Sequence, residues 1–241
     1  MSSFRGFLAR AKVVLIPLLS KSYRLRWDAA SITRRQAFMS VCAISNEEEI
    51  DKLGRADAER ILPFLTESSI ILDVGCGVGR LEKQLCSYCH EIYAFDVSHT
   101  MLKIARRRLE GISNVRLQNA NAARTIPFPE AMFDLCFSFH CLQHMEKEDS
   151  YLALKEIHRV LKPSAVAILH FPSFTSRTYF SLFKDMYNKR DNARVRSFTE
   201  PEVRTILTDV GFSDLKVEYT CLNPFVKPEE DSRDMLVTAR S

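Results

Sequence analysis

The chain has 241 residues, 46% of them apolar and 27% charged, enough to bury one core in a single domain without a disulfide or metal. Nine prolines and seven glycines exclude collagen-like or disordered sequence, and the longest apolar run, Val13 to Leu19, is far short of the roughly 20 residues that cross a bilayer. The net charge of +4 is uneven: residues 1–45 carry eight basic side chains against Asp28 alone, a net of +7, so the rest nets −3 and makes a poor binder of nucleic acid.

From Phe4 the apolar residues Phe7, Leu8, Ala11, Val14, Leu15 and Leu18 keep helical spacing, flanked by Arg5, Arg10, Lys12 and Lys21, until Pro17 argues for a kink or an early end. Residues 1–45 therefore read as a basic helical lid over the domain or, through residues 1–26, as a peripheral contact with an anionic membrane. The lack of acids before Asp28 would also fit an organelle transit peptide.

Glu47 to Leu65 reads as a helix, and Ser69 to Val74 as a buried strand that stops at Gly75-Cys76-Gly77-Val78-Gly79. A helix over Leu81 to Cys89, a strand over Glu91 to Asp96, a helix over Thr100 to Leu109 and a short strand over Val115 to Gln118 follow. Phe133 to Ser138 is a fourth strand, Tyr151 to Leu161 a helix, and Ala165 to Phe171 a fifth strand. Glu200 to Val210 is a helix closed by Gly211, and Leu215 to Thr220 with Met235 to Ala239 form a closing antiparallel pair. Strands alternating with helical patterns give an α/β fold over residues 46–241, a doubly wound, mostly parallel sheet with helices on both faces.

In such sheets ligands bind beyond the carboxyl ends of the strands, which directs attention to the glycine turn. Gly75, Gly77 and Gly79 free the backbone there, whereas a dinucleotide fingerprint would want glycine where Arg80 stands. Asp73 precedes the turn, and Asp96 follows Gly75 by 21 residues at the end of a strand, where a carboxylate can accept both ribose hydroxyls of an adenosine-bearing cofactor.

The segment Ile71-Leu72-Asp73-Val74-Gly75-Cys76-Gly77-Val78-Gly79-Arg80, then Phe95-Asp96-Val97-Ser98 with Met101-Leu102, resembles the class I S-adenosylmethionine-dependent methyltransferases. Ile126-Pro127-Phe128-Pro129 with Phe133-Asp134, Arg159-Val160-Leu161-Lys162-Pro163, and Phe198-Thr199 through Gly211-Phe212 continue the resemblance in family order, closest to the small-molecule group. It implies a Rossmann-like seven-stranded sheet with an antiparallel last strand, and S-adenosyl-L-methionine as cofactor. By this resemblance Gly75, Gly77 and Gly79 line the methionine end, Asp96 holds the ribose, Val97, Ser98, Met101 and Asn121 border the adenine, and Asp73, Ala122 and Phe139 are further cofactor-binding residues. Relatives carry an acid near Asn119 and Asn121; Asn121 is the better match, and an amide oxygen can still accept the adenine amino group. Ser164-Ala165 replaces a usual glycine pair, and Trp27-Asp28-x-Ala30 resembles a helix that closes over the cofactor.

The stretch Ser138-Phe139-His140-Cys141-Leu142-Gln143-His144 faces the transfer site in the family, which makes His140 or His144 the candidate general base. It lacks the Asn/Asp-Pro-Pro-Tyr/Phe pattern of enzymes that methylate base or amide nitrogen. Residues 173–197 read as a substrate cap rich in aromatic and basic side chains, suited to a small-molecule or lipid-like acceptor methylated at oxygen or carbon before nitrogen. The competing readings are a non-catalytic methyltransferase-like partner protein and a nicotinamide-dependent oxidoreductase. Seven cysteines without framework spacing read as reduced thiols in the cytoplasm, and Cys86-Ser87-Tyr88-Cys89-His90 reads as a chance match to a haem or zinc pattern, so no metal is expected. Arg106-Arg107-Arg108 reads as a solvated helix face, and the oligomeric state is left open.

Overall fold

The computed structural model describes residues 22–42, 44, 46–187, 195–222 and 234–241, so the apolar stripe from Phe4 to Leu18 lies outside the described residues. Seven strands form one sheet: β1 (Ile70–Val74), β2 (Glu91–Asp96), β3 (Val115–Asn119), β4 (Phe133–Ser138), β5 (Leu161–Pro172), β6 (Ser213–Thr220) and β7 (Asp234–Arg240). Their spatial order is β3-β2-β1-β4-β5-β7-β6. The first five pair in parallel, and β7 slots antiparallel between β5 and β6, as expected of the last strand.

The helices are α1 (Tyr23–Ala30), α2 (Arg34–Cys42), α3 (Glu47–Ala58), α4 (Glu82–Leu85), α5 (His99–Arg108), α6 (Lys147–Val160), α7 (Arg177–Tyr187) and α8 (Glu200–Val210). Alternation along the strands feeds two cores. Leu72, Val74, Phe133 and Phe171 pack with Leu154, Ile157 and Leu207 on one face, and Ile71, Ile92, Leu135 and Phe137 pack with Leu85 and Leu102 on the other. Each such side chain stabilises the fold by about 1.5–3 kcal/mol. A third cluster, in which Phe38 and Ile50 meet Val78, Met101 and Ile104, fastens α2 and α3 to α5.

Local chemistry sets the helix ends. Asn46 and Ser98 cap α3 and α5, Thr199 and Glu202 form a capping box on α8, and Gly211 closes α8 at φ +113°. The helix expected over Leu81 to Cys89 shrinks to one turn. Tyr88 N–H bonds back to the Leu85 carbonyl, and Asn114 Nδ2 donates to the carbonyls of Cys86 and Cys89, turning the chain early toward β2. Strand β5 starts earlier than expected, at Leu161, because Leu161 pairs with Phe133 of β4 ahead of a register shift, within which Ser164 takes φ +64° and donates its N–H to the Ser241 carbonyl.

The arginine run is not uniformly solvated. Arg106 and Arg107 are exposed, but Arg108 is buried, donating to Glu47 Oε1 at 2.6 Å, Asp51 Oδ1 at 2.5 Å and the Val78 carbonyl. Arg80 is likewise buried, in an ion pair with Asp57 at 2.5 Å. Among the described residues, no helix is long and apolar enough to cross a membrane.

Candidate functional site

A cavity holding about 720 Å³ of empty space, its open mouth included, lies at the carboxyl ends of β1, β2 and β4. Its floor is the glycine turn. The N–H groups of Gly75 and Cys76 both donate to the Phe95 carbonyl, at 2.9 and 3.0 Å, which ties the turn to the end of β2. Gly75 sits at φ +91°, and a Cβ there would collide with Cys141 Sγ, because the segment after β4 crosses directly over the turn. Gly77, at φ +54°, faces Val41 of α2 across the cavity wall. Gly79 serves packing instead: a Cβ there would stand 2.9 Å from Leu109 Cδ1, so its bareness lets α5 approach, and it does not line the cavity.

Gly75→Ala therefore combines a left-handed backbone with a steric clash. It is expected to cost about 1–3 kcal/mol or more and to lower the thermal midpoint by several degrees. A midpoint within one degree of wild type would show that the turn relaxes freely.

Asp96 stands beside the turn. Its Oδ2 accepts from Gly77 N–H at 3.0 Å and its Oδ1 from Ser98 N–H at 2.8 Å, so two backbone donors aim the carboxylate at the cavity it lines. Burial pushes its pKa up to about 6 in spite of those donors, with Asp28 and Glu82 adding like charge. Val97, Met101, Asn121, Ala122 and Phe139 share the wall with it, and Phe95 and Ala120 join them without having been anticipated. The two asparagines part company. Asn119 spends its amide on the carbonyls of Asp96 and Val97, whereas Asn121 lines the cavity while its Oδ1 accepts from Ala123 N–H at 3.2 Å.

Two expected contact residues lie behind the wall. Ser98 is fully buried: its Oγ accepts from Met101 N–H to cap α5 and donates to Asp28 Oδ1 at 2.8 Å. Asp73 is buried beneath the turn, where burial and the adjoining Glu82 carboxyl push its pKa well above the usual carboxylate range. Both support the site without reaching the cavity.

The opposite wall comes from α1, α2 and the stretch after β4. Tyr23, Trp27, Ser40 and Val41 face His140, Cys141, His144 and Met145. Helix α1 is held at two points. Tyr23 Oη donates to Asp149 Oδ2 at 2.5 Å and accepts from Glu146 N–H, and Asp28 Oδ1 accepts from Ser98 Oγ and Thr100 N–H. Trp27 meets the His144 ring edge-on at 4.9 Å.

His140 adopts a left-handed backbone at φ +55°. Its N–H donates to His170 Nδ1 at 3.2 Å, which leaves the His170 proton on Nε2, donated to Asp234 Oδ1 at 3.0 Å. Asp234 also accepts from Tyr179 Oη at 2.6 Å and Leu222 N–H at 2.7 Å. Burial works against that carboxylate's charge, yet the His170, Tyr179 and Leu222 donors hold its pKa down at about 2. Burial pushes the His140 pKa well down, helped by His170, and lowers His144 to about 3, helped by Arg26 and Arg196. Both rings are thus neutral, with His140 Nε2 and His144 Nδ1 buried and lacking hydrogen-bond partners. Sequence signals had pointed to Trp27 but not to Ser40, Val41, His170 or Asp234, which sit in no motif.

Fit to the expected cofactor rests on this geometry. A sugar diol needs acceptor oxygens, which Asp96 presents; a close-lying polar chain needs bare backbone, which Gly75 and Gly77 present; a flat heterocycle needs apolar walls, which Val97, Met101 and Ala122 present. The Cys86-Ser87-Tyr88-Cys89-His90 segment forms the turn into β2, and among the described residues no group of three His, Cys, Asp or Glu side chains is disposed to hold a metal.

Comparison with known proteins points the same way. The family profile described as "Methyltransferase domain" matches residues 72–169. A malonyl-[acyl-carrier protein] O-methyltransferase of Halorhodospira halophila is 30% identical over 217 residues, 86% of this chain and 72% of that protein. The probable methyltransferase ltbC of Aspergillus luteorubrus is 31% identical over 134 residues, 51% of this chain and 47% of that protein, so the chain spans about half of its length. Among solved structures, a SAM-dependent methyltransferase from Archaeoglobus fulgidus superposes with a TM-score of 0.61 at 20% identity, covering 79% of this chain and 94% of that one.

Proposed function

The chain belongs to the class I S-adenosylmethionine-dependent methyltransferases, and on that premise we propose that it methylates a small or lipid-like acceptor at oxygen or carbon before nitrogen. The observation that carries this reading is the makeup of the cavity wall. Among the described residues Asp96 is its one carboxylate, and the wall away from it is Tyr23, Trp27, Met145 and two neutral histidines. Such a wall suits a largely apolar acceptor, and with its one carboxylate committed to the ribose it leaves only the Trp27 and Tyr23 faces for a cation, which supports oxygen or carbon before nitrogen. The O-methyltransferase named among the relatives supports oxygen as a target atom. The slightly acidic body supports the exclusion of nucleic acid, the cysteine pattern supports a cytoplasmic setting, and the basic, amphipathic sequence of residues 1–26 supports membrane contact.

When bound, S-adenosylmethionine supplies a methyl group already activated on a sulfonium. The chain's own work is to orient the acceptor, exclude water and receive a proton. Of the residues lining the cavity, Asp96 would hold the ribose hydroxyls, the bare backbone at Gly75 and Gly77 with Phe139 would take the methionine end, and Val97, Met101, Asn121 and Ala122 would border the adenine. Trp27 and Tyr23 of α1 cover the cavity and shed water from it. One histidine would take the acceptor's proton as it becomes acidic during transfer: His140 presents a neutral imidazole with Nε2 unpartnered, whereas His144 Nε2 already pairs with the Gln143 amide nitrogen at 3.1 Å and would orient the acceptor through Nδ1.

The test is an acceptor screen over quinone-like, polyketide-like and lipid-linked phenols together with matched amines, reading release of S-adenosylhomocysteine. With a working acceptor, His140→Gln or His144→Gln is expected to lower turnover by about 10²–10⁴ while S-adenosylhomocysteine affinity stays within about twofold. Unchanged turnover in both variants would remove the histidines from the chemistry. A preference for amine acceptors would overturn the oxygen-or-carbon reading.

A further inference from the structure

The apolar side chains left on the surface are not evenly spread. Of nine large hydrophobic residues exposed among the described residues, five lie on the α1–α2 segment or on α7: Leu25, Ile32, Met39, Phe180 and Phe183. Ile32 is 72% exposed and Phe183 is 53% exposed, far more than isolated accidents of packing need. On α7 the two phenylalanines, three residues apart on one face, stack at 6.2 Å, with Phe174 edge-on to both and the Lys184 ammonium 5.2 Å above Phe180. Tyr179, on another side of the same helix, is buried and hydrogen-bonded to Asp234, so α7 is anchored by one face and offers the other outward.

These two elements belong to the same end of the molecule. Helices α1 and α2 form a wall of the cavity, and α7 follows the carboxyl end of β5, on the cavity side of the sheet. Glu146 joins their surroundings: its N–H donates to Tyr23 of α1, and its carboxylate pairs with Arg196, in the part of the cap segment that follows α7. Charge follows the same division. Among the described residues α1 and α2 carry the exposed Arg24, Arg34 and Arg35 and α7 carries the exposed Arg177 and Lys184, while the sequence outside 1–45 and 173–197 nets −7. Apolar side chains set among cations at one end, with a negative body behind, suit an anionic phospholipid surface, where rings and aliphatic chains enter the headgroup layer and each Lys or Arg adds about 1 kcal/mol. A protein partner would want these side chains gathered into one packed centre, whereas here they are spread over two elements around the cavity.

We propose that the outer faces of α1–α2 and α7 dock this enzyme on an anionic membrane, so that the cavity receives its acceptor from the lipid phase. The acceptor clause rests on the methyltransferase reading above; the docking itself rests on the surface alone.

The experiment is co-flotation of the full chain with phosphatidylcholine vesicles, with or without about 30% phosphatidylglycerol, in the presence of S-adenosylhomocysteine. Wild type is expected to float roughly tenfold better with the anionic vesicles and to lose this at high salt. The variant Ile32→Ser/Met39→Ser/Phe180→Ser/Phe183→Ser, none of whose residues lines the cavity, is expected to keep the thermal shift given by S-adenosylhomocysteine and to lose most of the flotation. A second variant, Arg24→Glu/Arg35→Glu, is expected to lose the preference for anionic vesicles. No flotation of wild type, or equal flotation of the four-serine variant, overturns the proposal. So does a wild-type dimer in sedimentation that the four-serine variant dissolves, since the face would then belong to a second copy. Absence of the thermal shift in wild type would instead count against the cofactor site and leave the flotation readable.

Discussion

Replacing Asp96 by alanine is expected to abolish the stabilisation that S-adenosylhomocysteine confers. Ligand at about 100 times its dissociation constant adds about 2.7 kcal/mol, which for a domain of this size raises the thermal midpoint by roughly 5–10 °C. The carboxylate is held by Gly77 N–H and Ser98 N–H, and alanine removes both the ribose acceptor and the partner of those two donors. Asp96→Asn keeps the side chain's shape and one acceptor oxygen, so it separates loss of recognition from loss of the turn. A full shift in both variants would move ribose recognition elsewhere.

The same residue sets a pH dependence. Burial raises its folded-state pKa to about 6, above its unfolded value, so in the free protein its favourable contribution is complete at low pH and is lost as pH rises through about 6. The ionised form is the better acceptor for two hydroxyls, so cofactor affinity is expected to fall as pH is lowered through about 6. Isothermal titration from pH 7.5 down to 5 measures it. Wild type should show the inflection and Asp96→Asn should not; a flat wild-type profile would mean that the carboxylate stays ionised throughout.

Asp234→Ala is expected to be the most destabilising single change, although Asp234 touches no ligand. It strands three buried donors at once: His170 Nε2–H, Tyr179 Oη–H and Leu222 N–H. Loss of a buried, charge-assisted hub of this kind costs about 3–5 kcal/mol, and the midpoint should fall by roughly 6–20 °C. The sign with pH is opposite to that of Asp96. Its pKa is depressed to about 2, so its stabilisation is complete above the unfolded value near 4 and disappears as pH falls through 2. Thermal unfolding of wild type and variant at pH 7 and pH 3 tests both statements. A midpoint within two degrees of wild type would show that water replaces the carboxylate.

Because His170 in turn accepts the His140 N–H, the same loss should loosen the left-handed backbone that holds His140 in the cavity wall.

What the sequence by itself determined is local in physical origin. A short, largely apolar run such as Ile70 to Val74 that stops at a glycine turn reads as a strand covered on both faces, and Gly211 ends α8 where the sequence places it. The glycine turn and an acid at the end of the next strand, Asp96, announced a nucleoside-bearing ligand because strand length and turn chemistry act within a few residues of themselves.

Tertiary structure decided which faces meet. That Gly75 must be bare for Cys141 to cross over it, that Gly79 is bare for Leu109, and that Asp73 and Ser98 support the wall from behind depend on crossings between segments remote in sequence. Arg108, solvated by its place in a basic run, is buried because α3 brings Glu47 and Asp51 to it. His170 and Asp234 are 64 residues apart and carry no periodic or motif signal, so only the antiparallel insertion of β7 beside β5 reveals them as partners. Periodicity tells a side chain to be buried; the neighbour it is buried against is set by chain topology, and that neighbour decides whether a carboxylate is a ligand holder, an ion-pair partner or a hub.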